Sequence, residues 1–132
     1  MTSIFSKIVS REIPAHIVFE DEHFMAFLDI FPLAPGHTLV IPKHETDYIF
    51  DLDEQTMTGL MLFAQKVAKG IDRWTTAKRV GMAVIGLEVP HAHIHLVPIN
   101  GIHDIDFSKP KLQFSPEEFQ RIASEIAECI QN

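Results

Sequence analysis

A chain of 132 residues can bury one respectable core and leaves little room for a second, so a single domain is expected over residues 1–132. Apolar residues at 46% and charged residues at 22% are the proportions of a globular protein and exclude a disordered or fibrous chain. A formal net charge of -7 argues against a broad phosphate-backbone surface, which needs clustered Lys and Arg, so polymeric DNA or RNA is not an expected partner.

In chain order, Ile4, Phe5 and Ile8 predict a short helical turn before Pro14. Ile17 to Glu20, Phe24 to Asp29 and His37 to Ile41 read as extended segments, punctuated by Asp21, Pro32, Pro35, Gly36 and Pro42, and together as an antiparallel meander. From Asp53 onward Met57, Leu60, Met61, Ala64, Val67, Ala68 and Ile71 recur at the spacing of one buried helical stripe, which predicts a long helix. Val80 to Leu87 is almost continuously apolar and too short for an independent helix. With Ala92 to Val97 it predicts two central strands. Ser115, Pro116 and Glu118 form a capping box with proline at the first helical position, and Phe119, Ile122, Ala123, Ile126 and Ile130 continue it as a C-terminal helix. The order of strands, helix, strands and helix gives an α+β class. The single cysteine, Cys129, excludes an intrachain disulfide. Residues 1–10 lack the apolar core of a signal peptide and no run reaches membrane-spanning length, so the expected setting is the cytoplasm, with no membrane partner.

Chemistry concentrates in residues 91–97, His-Ala-His-Ile-His-Leu-Val. In a strand alternate side chains share a face, which puts His91, His93 and His95 on one side and Ala92, Ile94 and Leu96 on the other. Imidazoles need hydrogen-bond partners and pack less well than Val or Ile, so three in line point to a site rather than a core. His16, His23, His44 and His103, each standing alone, are given no role. Two chemistries remain open. Metal binding suits imidazole, but His91 and His95 start about 13 Å apart along a straight strand, a poor arrangement for three nitrogens about 2 Å from one ion. Phosphorus chemistry fits better, with one histidine as neutral nucleophile and its neighbours orienting it and donating to phosphoryl oxygens.

The run 91–97 resembles the signature of the histidine-triad (HIT) superfamily. The segment Ala26-Phe27-Leu28-Asp29-Ile30-Phe31-Pro32-Leu33-Ala34-Pro35-Gly36-His37-Thr38-Leu39-Val40-Ile41-Pro42-Lys43 is similar to the region before the long helix of that family. So is the start, Ile4-Phe5, Lys7-Ile8-Val9 and Glu12-Ile13-Pro14, and the likeness runs over roughly residues 4 to 98. It implies a five-stranded antiparallel sheet with one long helix and a C-terminal helix, two such sheets joining as ten strands in a homodimer. It implies hydrolysis or nucleotidyl transfer at the α-phosphorus of a purine nucleotide derivative, without cofactor. A nucleoside phosphoramidate or adenylated small molecule would be the substrate, as in the Hint-like branch. Cleavage of dinucleoside polyphosphates, as in the Fhit-like branch, is the alternative, and a nucleotide-binding module with little turnover is a rival of another class. Position by position, His93 corresponds to the nucleophile that becomes nucleotidylated, His91 holds its geometry, His95 contacts the phosphate and His37 is the additional histidine beside the triad. Asp29 matches the carboxylate that receives the ribose hydroxyls. Ile4, Phe5, Phe27 and Ile30 match apolar positions around the base, with plain core an equal reading for each. Gly86 matches a glycine that lets backbone approach the phosphate.

The chain departs from that pattern in three places. Gly86-Leu87-Glu88 stands where many relatives carry Gly-Gln-Ser or Gly-Gln-Thr, so the hydroxyl donor of the nucleotide-binding stretch gives way to Glu88, a carboxylate that repels phosphate unless protonated or turned away. The usual asparagine of the preceding strand is absent, since Asn100 and Asn132 are the only two. Ser3 and Ser6 replace the Cys-x-x-Cys of some relatives, which removes two zinc ligands, and no metal is expected.

Overall fold

Residues 2–130 are described in the structure, a computed structural model. A short helix, α1 (Ile4–Val9), capped by the Ser3 side chain, precedes the strands β1 (Ile17–Glu20), β2 (Phe24–Leu28) and β3 (Thr38–Pro42). These three form the antiparallel meander read from the sequence, with Met25 opposite Ile41 and Phe27 opposite Leu39. Gly36 makes the turn into β3 with φ of 90°, a conformation that disfavours any side chain, and a Cβ there would also meet the Trp74 ring at 2.7 Å. The long helix α2 (Glu54–Trp74) follows, its N-terminus capped by Asp53, whose carboxylate accepts from the Thr56 N–H at 2.7 Å. Strands β4 (Arg79–Ala83) and β5 (Ile94–Ile99) then lead to α3 (Pro116–Cys129), which opens with the expected capping box: Ser115 Oγ accepts from Glu118 N–H, and the Glu118 carboxylate accepts from Ser115 N–H. The five strands make one antiparallel sheet in the order β1-β2-β3-β5-β4.

Both faces of the sheet's middle are covered, which is why every residue of β2 and β3 is buried. Phe24, Ala26, Leu28, Val40, Ile94 and Leu96 pack with α2 and α3 on one face. Met25, Phe27, Leu39 and Ile41 pack on the other face with Phe5 and Ile8 of α1. The buried stripe of α2 is Leu60, Phe63, Ala64, Val67, Gly70 and Ile71. Phe63 therefore belongs to the stripe, and Met61, assigned to it from the sequence, is exposed. Among the described residues no helix is long and apolar enough to cross a membrane.

The two expected central strands are corrected at both ends. β4 stops at Ala83 and lies at the edge of the sheet, so Val84, Ile85 and Leu87 are exposed rather than core. The chain leaves the ladder here, and Gly86 turns it with φ of 76°. A Cβ on Gly86 would meet nothing within 4 Å, so the glycine answers to its dihedral and not to crowding. β5 begins at Ile94, not Ala92, which leaves His91, at a bend, and His93 in a lead-in outside the regular strand.

Candidate active site

The two faces of the sheet are covered unequally. Helices of 21 and 14 residues cover one of them, whereas the six residues of α1 reach only about 9 Å across the other. The uncovered remainder of that face is where the site lies. It is also the histidine face, because Ala92, Ile94 and Leu96 turn into the α2–α3 core. The alternation expected from the sequence therefore survives although only His95 sits in a regular strand. The Phe5 ring of α1 meets the His91 and His93 rings edge-on at 5.8 and 5.0 Å, and the His93 and His95 rings lie 4.9 Å apart.

Hydrogen-bond partners assign the protons on all four buried histidines. The Leu33 backbone N–H lies 3.0 Å from His37 Nδ1, so that nitrogen accepts and the proton of neutral His37 is on Nε2. His37 Nε2–H then donates to His95 Nδ1 at 3.0 Å, which leaves His95 carrying its own proton on Nε2. His93 Nδ1 lies 2.8 Å from the His91 carbonyl, an obligate acceptor, so His93 Nδ1 holds a proton and Nε2 keeps the lone pair. His91 Nε2 lies 2.8 Å from the Pro42 carbonyl and is likewise a donor, leaving Nδ1 to accept from Ser3 Oγ at 2.8 Å. Neutral rings agree with burial. Desolvation, with the neighbouring His95 adding to it, lowers the His37 pKa to about 3, desolvation lowers that of His95 to about 4, and His91 moves in the same direction.

Two cavities meet at this face. The first, of about 220 Å³, is lined by Ile4, Phe5, Phe27, Asp29, Ile30 and Glu88, together with His93 and His95. The second, of about 250 Å³, is lined by Ile85, Gly86, Leu87, Glu88 and Phe107 and shares the same two histidines. His93, His95 and Glu88 line both cavities, and Nδ1 of each of the two rings is taken up by a hydrogen bond within the protein, while fully buried His91 lines neither cavity. Phe5 and Phe27 are both core and wall; Ile4 and Ile30, 49% and 56% exposed, are wall alone, which overturns the core reading for those two. Asp29 accepts from the Phe31 N–H at 2.9 Å, and desolvation raises its pKa. Its other oxygen lies 3.5 Å from His37 Nε2, a polar contact rather than an ion pair because His37 is neutral.

Asp29, His37 and His95 bring one ligand atom each to within 4.8 Å of one another. A cation there would need the lone pairs of both His37 Nε2 and His95 Nδ1, and the Leu33 N–H keeps a proton on the former. The trio is a hydrogen-bond relay by its donor set. Sequence reasoning missed Phe107, which caps His95 at 4.6 Å between ring centres. It also missed Lys111, whose charge acts on Asp29 and His37, and the Leu33 amide. The first two come from the irregular segment after β5, where no periodicity marks them. His16, His23, His44 and His103 line neither of these two cavities; His23 and His44 line a separate one, of about 640 Å³, with Glu22, Lys43 and Gln55.

Comparison with known proteins extends the likeness over nearly the whole chain. The family described as HIT domain matches residues 10–102. An "Uncharacterized HIT-like protein" of Borreliella burgdorferi is 31% identical over 132 residues, covering 94% of this chain and 95% of that protein. The adenosine 5'-monophosphoramidase hnt1 of Schizosaccharomyces pombe is 32% identical over 133 residues, covering 98% and 99%. The crystal structure of a HIT-like protein from Bartonella henselae superposes with a TM-score of 0.86 at 31% identity, covering 98% of this chain and 96% of that one.

Proposed function

The chain belongs to the HIT domain family, and on that premise we propose that it is a hydrolase or nucleotidyl transferase acting at the α-phosphorus of a purine nucleotide derivative, through a covalent intermediate on His93. The observation that carries this reading is the pair of rings, 4.9 Å apart between centres, that lines both cavities: the hydrogen bonds on Nδ1 leave His93 its lone pair, and His95 its proton, on Nε2. The nucleoside occupies the first cavity, its base between Ile4, Phe5, Phe27 and Ile30 and its ribose hydroxyls donating to Asp29. The leaving group occupies the second, past Gly86.

In the first step the His93 Nε2 lone pair forms a bond to phosphorus while the bond to the leaving group breaks, and the departing amine takes a proton from solvent in the second cavity. His95 Nε2–H donates to a phosphoryl oxygen as charge builds there. The nucleotidylated ring still carries its Nδ1 proton, so it is cationic, and the His91 carbonyl 2.8 Å away stabilises it. That charge also makes the ring a good leaving group in the second step, when water or another acceptor attacks phosphorus, gives up its proton to solvent, and the P–N bond returns its electrons to Nε2.

Glu88 favours amidates over dinucleoside polyphosphates. It lines both cavities, and an anionic polyphosphate leaving group would approach it against like charge. The monophosphoramidase name of the Schizosaccharomyces pombe relative points the same way. Residues 1–132 are taken as one unit that pairs through a free sheet edge into a ten-stranded homodimer, for which β4 supplies an edge with Met82 exposed. The expected solution mass by light scattering is twice the 15.0 kDa of the chain. The cytoplasm remains the proposed setting.

The test is AMP release from an adenosine phosphoramidate and from diadenosine polyphosphates, comparing the native protein with His93→Ala. Release by the native protein and its loss by orders of magnitude in the variant supports the reading, and the preferred compound identifies the branch. AMP binding without release by either protein would replace it with a nucleotide-binding module.

A further inference from the structure

His91 and His93 lie outside β5, so the sheet ladder does not hold the His91 carbonyl on which the His93 proton rests. The lead-in is tied instead by His91 N–H to the Val89 carbonyl at 2.8 Å, by Ala92 N–H to the Thr46 carbonyl at 2.7 Å, and by the His91 ring itself. One side of that ring donates to Pro42. The other side meets the start of α1, where three polar groups converge. Glu45 Oε1 accepts from the Ser3 N–H at 2.8 Å and from Ser6 Oγ–H at 2.6 Å. Ser3 Oγ accepts the Ser6 N–H at 3.0 Å. Ser6 Oγ also comes within 3.4 Å of His91 Nδ1, but its one proton is on Glu45, so the Ser3 hydroxyl is the donor to that nitrogen. Ser3 is buried, and every proton in the group has a single acceptor.

We propose that Ser3, set in place by Ser6 and Glu45, is a positioning residue for the nucleophile: it clamps the His91 ring against Pro42 and thereby fixes the carbonyl that holds His93 as its Nδ1–H tautomer. The clamp also registers α1, which carries Ile4 and Phe5 of the first cavity, against the histidine segment, so the nucleoside wall and the nucleophile move as one. Glu45 acts as an acceptor in this scheme. Its two hydrogen bonds from Ser6 and Ser3 hold its pKa down at about 2, so the carboxylate is present throughout the pH range of activity.

The role in turnover rests on the function proposed above; the tautomer does not. Nitrogen-15 spectra of histidine-labelled protein above neutral pH report which ring nitrogen carries the proton. The native protein is expected to show His93 as Nδ1–H alone. Ser3→Gly keeps a tolerated helix cap while deleting the hydroxyl, and Glu45→Ala deletes the acceptor. In each, a second His93 population protonated at Nε2 is expected, with kcat down about ten- to a hundredfold. Ser3→Thr, which keeps the hydroxyl, restores both readouts, and Glu45→Gln, which keeps the accepting oxygen, restores most of them. His93 remaining wholly Nδ1–H in Ser3→Gly and Glu45→Ala would overturn the clamp, as would native kcat in those variants. If the native protein releases no AMP at all, the functional reading fails and the tautomer populations still decide the clamp.

Discussion

His37 is set by groups that have no chemistry of their own. A backbone amide, Leu33 N–H, chooses its tautomer, and that choice passes through Nε2 to His95. Replacing His37 by Ala removes the relay and strands the Leu33 N–H; unfolding in urea should show a loss of about 1–3 kcal/mol, and AMP release should fall because His95 is no longer held as Nε2–H. Glu88→Gln should raise cleavage of diadenosine polyphosphates relative to the amidate by roughly fivefold, the size of one exposed charge contact near 4 Å, read as a ratio of kcat/KM values. An unchanged ratio would separate Glu88 from leaving-group choice. At this scale the histidine run was readable because strand alternation has a period of two. Asp29 and His37 were reachable only through the family likeness. Glu45 and Phe107 were out of reach, because each arrives from a loop whose path is a tertiary matter.

Elements with local signals read best. The Ser115–Glu118 capping box is present with both of its hydrogen bonds, and Ser115→Ala should lower stability by about 1 kcal/mol in denaturant unfolding. The apolar run Val80 to Leu87 misled for a physical reason. Hydrophobicity alone does not distinguish a buried strand from a cavity wall, and Ile85 and Leu87, the latter 87% exposed, line the second cavity. The shortness of α1 has the opposite standing. As a helix it is marginal, yet its failure to cover the sheet is what leaves room for a ligand. Ile8→Ala should loosen α1 from Met25 and Ile41 and cost about 2–4 kcal/mol, with weaker AMP binding because Ile4 and Phe5 lose their seat.

Across the whole molecule, burying neutral imidazoles ties stability to pH. His37 and His95 titrate near 3 and 4 when folded, against an ordinary value near 6.5 when unfolded. Between those limits the unfolded chain binds more protons, so the contribution is complete above about pH 6.5 and is lost as pH falls toward 4 for His95 and 3 for His37. Raised Asp29 opposes this, whereas the lowered carboxylates Glu20, Glu45, Asp53, Asp104, Asp106 and Glu125 act in the same sense, their contribution being lost as they are protonated at the acid end. Unfolding at pH 7.5 and at pH 5 should differ by roughly 2–4 kcal/mol in favour of the higher pH, and His37→Gln should reduce the difference. The architecture that imposes this cost also creates the site, because a sheet covered fully on one face and partly on the other must leave its polar residues in the gap. The most direct measurement of the central claim is mass spectrometry of protein mixed with adenosine phosphoramidate and quenched in alkali, where a phosphoramidate bond on histidine survives. An adenylyl group on the peptide bearing His93, absent from His93→Ala and lost on further incubation with turnover, is the expected result. Steady AMP release with no adduct, or with the adduct on another residue, would contradict it.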